Sequence, residues 1–130
     1  MSKIQFGIVT FGTLVAQFFG GWDGMLQSLV VMTILDYFTG VLSAGYHGRL
    51  SSQVGYKGII KKVSIFVVLA VACTISGAIG NDIIRTATLI FYISNEGISI
   101  LENVGNCGVE YPDALKRLLH KLKDKDKDGE

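Results

Sequence analysis

The patterning of this chain predicts an all-α integral membrane protein with four transmembrane helices, arranged as two antiparallel hairpins. Three observations point there. Mean hydropathy is +0.44 and 49% of residues are hydrophobic, which is high for a 130-residue chain of one domain. Charge is unevenly spread: residues 4–22, 24–35 and 63–81 contain no Lys, Arg, Asp or Glu. Four apolar runs recur, at 4–22, 25–46, 63–80 and 83–104. Each is close to the roughly 20 residues that cross a bilayer core at ~1.5 Å per residue.

The first run, Ile4 to Trp22, is two-sided on a helical wheel. Ile4, Ile8, Phe11, Val15, Phe18 and Phe19 share one side, and Gln5, Gly12, Thr13, Ala16 and Gln17 the other. That pattern suits a spanning helix packed by its small face, and equally a helix lying in the interface. A cleaved signal peptide is disfavoured, because no small-x-small pattern follows the apolar core. GGWDG and GNDI are tight turns, the first between runs one and two, the second between runs three and four. The middle connection, HGRLSSQVGYKGIIKK, carries Arg49, Lys57, Lys61 and Lys62 and no acid. These are read as basic anchors on the cytoplasmic side, and so are Lys116, Arg117, Lys121 and Lys123 near the C-terminus. Both termini then face inward and both tight turns face outward. If the first run does not span, three helices remain and the N-terminus faces outward.

Residues 1–106 therefore form the membrane domain, followed by a basic amphipathic helix at 107–123 and a charged, disordered tail at 124–130. In the helix, Leu115, Leu118, Leu119 and Leu122 make a stripe beside Lys116, Arg117, His120 and Lys121. It suits an anionic lipid surface, or packing on its own protein. The tail alternates Lys and Asp and has nothing to bury. Met25 opens the second run and is a possible internal start.

No catalytic motif, metal-ligand spacing or cofactor fingerprint is present, so no enzyme, metal or cofactor is expected. Nucleic-acid binding is not expected either, since the basic residues flank apolar runs. Cys73 and Cys107 suggest neither a disulfide nor a metal site. The informative residues are ionisable groups at membrane depth, which are costly there and must face protein or water. Asp36 lies mid-way along the second run and Glu96 along the fourth, at similar expected depth. On the fourth run Arg85, Thr88, Tyr92, Asn95, Glu96, Ser99, Glu102 and Asn103 fall within an arc of about 120°. Thr86 and Ser94 are polar exceptions outside it. On the second run Asp36, Thr39, Gly40 and Ser43 share a face. Small residues four apart, Gly40–Ala44, Cys73–Gly77 and Ser76–Gly80, suit close helix packing. The residues leave three readings open: a water-filled opening between subunits, a proton- or cation-coupled transport site, or polar glue within one bundle.

LDYFTGVLSAGYHGRLSSQVGYKGIIKKV and FYISNEGISILENVGNCGVEYPDALKRLL resemble the phage holin family of the toxin-secretion/phage-lysis type, over about residues 30–120. The resemblance rests on Asp36 with Gly40, the Ser51–Ser52 to Gly58 stretch with Lys61 and Lys62, and Asn95–Glu96 with Ser99 to Asn103. The Gly108 to Pro112 exit before a basic helix also fits. It implies a multi-pass protein of the bacterial cytoplasmic membrane that forms homo-oligomers. These open lesions that release a murein hydrolase, lysing the host, or a large toxin. Two alternatives stand beside it: a small four-helix ion channel or proton-coupled transporter, and a non-conducting membrane scaffold.

Overall fold

The computed structural model describes residues 2–128. It contains five helices: α1 (Lys3–Phe18), α2 (Gly24–Tyr46), α3 (Ser52–Ile79), α4 (Ile83–Asn106) and α5 (Asp113–Asp128). Each start has a local cause. Ser2 and Gln5 cap each other's backbone at α1. Asp23 caps α2 by accepting from the Leu26 N–H, and Ser51 caps α3 by accepting from that of Val54. Gly80 ends α3 in the left-handed conformation that glycine adopts without penalty.

The boundaries correct the sequence reading in three places. The third helix starts at Ser52 instead of Val63, because Ser51 supplies a cap and nothing from Ser52 to Lys62 breaks a helix. Lys57, Lys61 and Lys62 thus stand on a helix and not in a loop. The first helix stops at Phe18, where Gly20 and Gly21 turn the chain with positive φ. The last helix starts only at Asp113 and continues to Asp128, past the expected boundary at Lys123; residues 129–130 of the expected tail lie outside the described residues.

α4 occupies the centre, in contact with α2, α3 and α5. Its start lies beside the α1–α2 turn, through Arg85 and Asp23, and its end lies beside the end of α2, where His47 Nε2 is 3.0 Å from the Asn106 carbonyl oxygen. So α2 and α4 run parallel along their whole length, and α3 runs antiparallel to both. Both tight turns sit at one end of the bundle. α2 and α3 approach closely where Gly55 and Gly58 leave room for the Tyr37 ring; a Cβ at Gly58 would lie 3.2 Å from it. α1 contributes no buried residue and touches the bundle near its own end, where the Phe19 ring meets Phe66 edge-on.

The interior mixes apolar and polar side chains, and the exterior of α2 and α3 is apolar, unlike a soluble bundle. A small apolar core, Leu26, Leu29, Ile65, Leu69 and Leu89, fills the turn end. Beyond it Ala72, Ile98 and Leu101 are buried, and with them a large polar set: Thr33, Asp36, Thr39, Ser43, Ser76, Arg85, Ser94 and Glu96. Val31, Ile34, Phe38 and Leu42 on α2, and Val63, Val67, Val71 and Ile75 on α3, point outward and are exposed. Apolar side chains outside and polar ones inside are what a lipid solvent selects. Among the described residues, α2 and α3 are long and apolar enough to span a membrane. α1 has only 16 residues, and α4 carries Arg85, Glu96 and Glu102.

Candidate functional site

One stripe on each of three helices builds the site. On α2 the buried residues Leu26, Leu29, Thr33, Asp36, Thr39 and Ser43 recur every three or four positions. On α3 the stripe is Ile65, Leu69, Ala72 and Ser76, and Lys62 continues it by one turn. On α4, Arg85, Glu96 and Asn103 face these two stripes. The Asp36, Lys62, Glu96 and Asn103 positions are therefore set by helical period, with no loop involved.

At its centre Lys62 Nζ donates to Asp36 Oδ2 and, at 2.6 Å, to Glu96 Oε1. Asp36 is 5% exposed and Glu96 fully buried. One ammonium contacting both fixes the two carboxyl groups at one level. Asp36 has its other oxygen satisfied as well, since Asn103 Nδ2 donates to Oδ1 at 3.0 Å and to Thr39 Oγ1 at 3.0 Å. Glu96 Oε2 has no hydrogen-bond partner. Ion pairing strengthens in a low dielectric, but the cost of drying the charges rises too. Such a cluster adds little net stability, yet removing one partner costs about 3–5 kcal/mol. It therefore specifies which helices meet.

A second cluster closes the turn end. The Arg85 guanidinium donates to the Phe19 carbonyl at 2.7 Å, to Asp23 Oδ2 at 2.8 Å and to the Gly21 carbonyl at 3.2 Å. Its backbone N–H donates to Ser76 Oγ. Arg85 alone thus ties α1, α2, α3 and α4 together. Gly20 has φ +88° and lies against this guanidinium, so any side chain there would be both strained and in collision. The Arg85 hydrogen bond, with help from the Leu26 N–H, holds the Asp23 carboxyl below the usual aspartate range.

The remaining expected site residues divide. Asn95 accepts from Lys123 Nζ at 2.9 Å, which brings α5 back along α4. Thr88 bonds its own helix at the Ile84 carbonyl, and Tyr92 packs against the apolar core. Ser99 lines a cavity of about 200 Å³ together with Asp36, Lys61, Lys62 and Asn103. Glu102 is exposed. The polar arc of α4 is thus largely taken up by partners inside the chain. Of the small residues, Gly40 faces Asn103, Ala44 is half-buried and Ser76 holds the Arg85 backbone. Cys73 packs on the apolar core. Gly77 and Gly80 are exposed and pack on no other helix of this chain: a Cβ at either would meet nothing within 4 Å.

Two expected basic anchors are also placed differently. Lys62 turns inward because it falls on the buried stripe of α3. Lys123 reaches Asn95 and lies 5.6 Å from the Phe91 ring centroid. Arg49, Lys57, Lys61, Arg117 and Lys121 are exposed, and Lys116 is half-buried. Leu115, Leu118 and Leu122 of α5 are exposed, while Leu119 packs over Gly97. Sequence reasoning missed three partners: Lys62 for the two carboxyl groups, Asp23 for Arg85, and Gly97 as the seat for α5. The first had a signal, since Lys62, Ile65, Leu69, Ala72 and Ser76 share one helical stripe. Among the described residues no group of His, Cys, Asp and Glu could hold a metal ion.

Known proteins resemble the chain over most of its length. An uncharacterised 14.9 kDa protein of Clostridium perfringens is 45% identical over 127 residues, covering 96% of each chain. An uncharacterised protein of Listeria monocytogenes is 41% identical over 117 residues, 89% of this chain and 84% of that one. A protein of Bacillus phage phi105 named "Probable holin" is 36% identical over 96 residues, 73% of this chain and 71% of that one. No solved structure matches. The sequence profile of the Bacteriophage holin family matches residues 13–124, a stretch holding α2, α3, α4, both charge clusters, the end of α1 and most of α5. With buried charge clusters, an apolar exterior on α2 and α3, and a family match across residues 13–124, this chain belongs to the bacteriophage holin family.

Proposed function

We propose that this protein is a holin that assembles as a homo-oligomer in the cytoplasmic membrane of a bacterial host. Its lesions release a cytoplasmic murein hydrolase, or in a toxin-exporting setting a large toxin. The observation that carries this reading is the polar face of α4. α4 lies along the full length of α2, so it crosses whatever α2 crosses. We place α2, α3 and α4 across the bilayer, with α1 as the fourth span and both termini in the cytoplasm. In one chain the α4 face is satisfied by Asp23, Asp36, Lys62 and α5. In a large assembly the same face can trade those partners for water or for neighbouring copies. A lone copy that made this exchange would expose ionised groups to lipid, which is prohibitive. Copies in a ring would expose them to a shared aqueous opening. The switch is therefore collective. The outward leucines of α5 suit the inner leaflet, beside its basic residues.

The test is induced expression in bacteria that also produce a cytoplasmic murein hydrolase and a folded reporter protein. A holin gives an abrupt drop in culture density and escape of the reporter. Selective flux of a small ion with the reporter retained would instead indicate a channel or transporter. No permeability change would indicate a scaffold. Either of the last two results overturns the proposal.

A further inference from the structure

The Asp36–Lys62–Glu96 cluster has an unequal charge count. Two carboxyl groups meet one ammonium, Lys62 Nζ donating to Asp36 Oδ2 and to Glu96 Oε1. No other charged side chain among the described residues is paired with them. α2 supplies Asp36, α3 supplies Lys62, and the Lys123 ammonium of α5 goes to Asn95 and Phe91. With both carboxyl groups ionised, the buried cluster would carry one net negative charge. Two like charges on one ammonium, away from water, do not both persist. The hydrogen bonds say which group differs. Both Asp36 oxygens accept bonds, from Asn103 and from Lys62, as an ionised carboxylate requires. Glu96 accepts at Oε1 only, and its Oε2 is buried without a partner. An uncharged oxygen tolerates that position far better than an anionic one.

We propose that this cluster is a proton-binding site: Glu96 holds one proton as a carboxylic acid in the closed bundle, and loss of that proton frees α4 from α2 and α3. The step is the dissociation of one O–H bond of Glu96. The proton passes to water, and the carboxylate keeps the electron pair. The cavity lined by Asp36, Lys61, Lys62, Ser99 and Asn103 gives the exchange route, because it joins the cluster to the basic first turns of α3. After release the net negative charge favours any arrangement in which Glu96 meets water. The binding site stands on the geometry alone, and only its role in opening rests on the holin reading.

Infrared spectroscopy of the full chain in lipid vesicles at neutral pH tests the site. The wild type is expected to show a carboxylic-acid carbonyl band that Glu96→Gln abolishes. Asp36→Asn is expected to abolish the same band with Glu96 still present, because Lys62 then balances an ionised Glu96. Circular dichroism confirms that each variant is folded. Absence of the band in the wild type, or its persistence in either variant, overturns the proton site. Lysis timing tests the role in opening. Acidifying the cytoplasm with a permeant weak acid should delay onset in the wild type, and onset in both variants should not respond to it. A wild-type onset that ignores cytoplasmic pH while the band is intact overturns the role but leaves the site. A chain that shows the band and never lyses would refute the holin reading instead.

Discussion

Asp23 caps α2 through one carboxylate oxygen and holds Arg85 through the other, so one side chain fixes both a helix start and a tertiary contact. The two functions separate by mutation. Asparagine caps about as well as aspartate, so Asp23→Asn keeps the cap and loses the charge. Alanine loses both, and the cap alone is worth about 1 kcal/mol. The Asp23 pKa is lowered in the folded chain, chiefly by the Arg85 hydrogen bond. The folded state therefore binds this proton less readily than the unfolded chain. The stabilisation is complete above the ordinary aspartate range, and it is lost as pH falls through the lowered folded value. We expect thermal melts of the solubilised protein to show an acid-dependent loss of stability that Asp23→Asn flattens. An identical acid dependence in the variant would dissociate Asp23 from it. Arg85 itself was legible as part of a polar arc. Its partner was not, because Asp23 is read in sequence as part of a turn, and the turn meets α4 only once α2, α3 and α4 have packed.

Helical period explains why some elements could be read and others could not. α2 and α4 were placed to within two residues, because an apolar run and a polar arc mark them on every turn. α3 extends eleven residues before Val63, where Lys57, Lys61 and Lys62 look like loop residues to any hydropathy argument. The stripe from Lys62 through Ser76 shows that Lys62 belongs inside. α5 was legible as an amphipathic helix, but its seat was not. It turns Leu119 and Lys123 to α4 and leaves Leu115, Leu118 and Leu122 outward. Gly97 is what allows this, since a Cβ there would already stand 3.0 Å from the Leu119 side chain. Gly97→Leu should therefore push α5 off α4 and leave α2, α3 and α4 in place. Overpacking of this kind costs about 1–3 kcal/mol where the neighbour is fixed. Here the neighbour can leave, so the expected result is faster amide hydrogen exchange across α5 up to Asp124 and unchanged exchange in α4. Slowed exchange in α5, or equal loss of protection in α2 and α3, would contradict this seating.

The bundle as built has two unlike ends, which makes its orientation testable. One end gathers the α1–α2 and α3–α4 turns around Arg85; the other gathers the ends of α2 and α4 and the basic start of α3. We propose the second end as the cytoplasmic one, because it carries Arg49, Lys57 and Lys61 and the positive-inside rule favours that side. α1 is the element on which the count of spans turns. At 16 residues it extends about 24 Å, less than the ~30 Å hydrocarbon thickness. It also lacks a buried face that would hold it upright. Its last residues are held at the turn end, where Arg85 takes the Phe19 and Gly21 carbonyls. With that end fixed, Ser2 reaches the opposite side only if α1 stands across the bilayer. If α1 lies in the interface, Ser2 stays on the outer side. Single cysteines in a background with Cys73→Ser and Cys107→Ser can decide this with a membrane-impermeant thiol reagent on intact cells. Asn81→Cys is expected to react, and Leu50→Cys only after permeabilisation. Under the four-span arrangement Ser2→Cys behaves like Leu50→Cys. Reaction of Ser2→Cys in intact cells would instead leave three spans and an outward N-terminus. The apolar groove of about 410 Å³ between α1 and α2, lined by Phe11, Val15, Trp22 and Val30, would then open onto the outer interface.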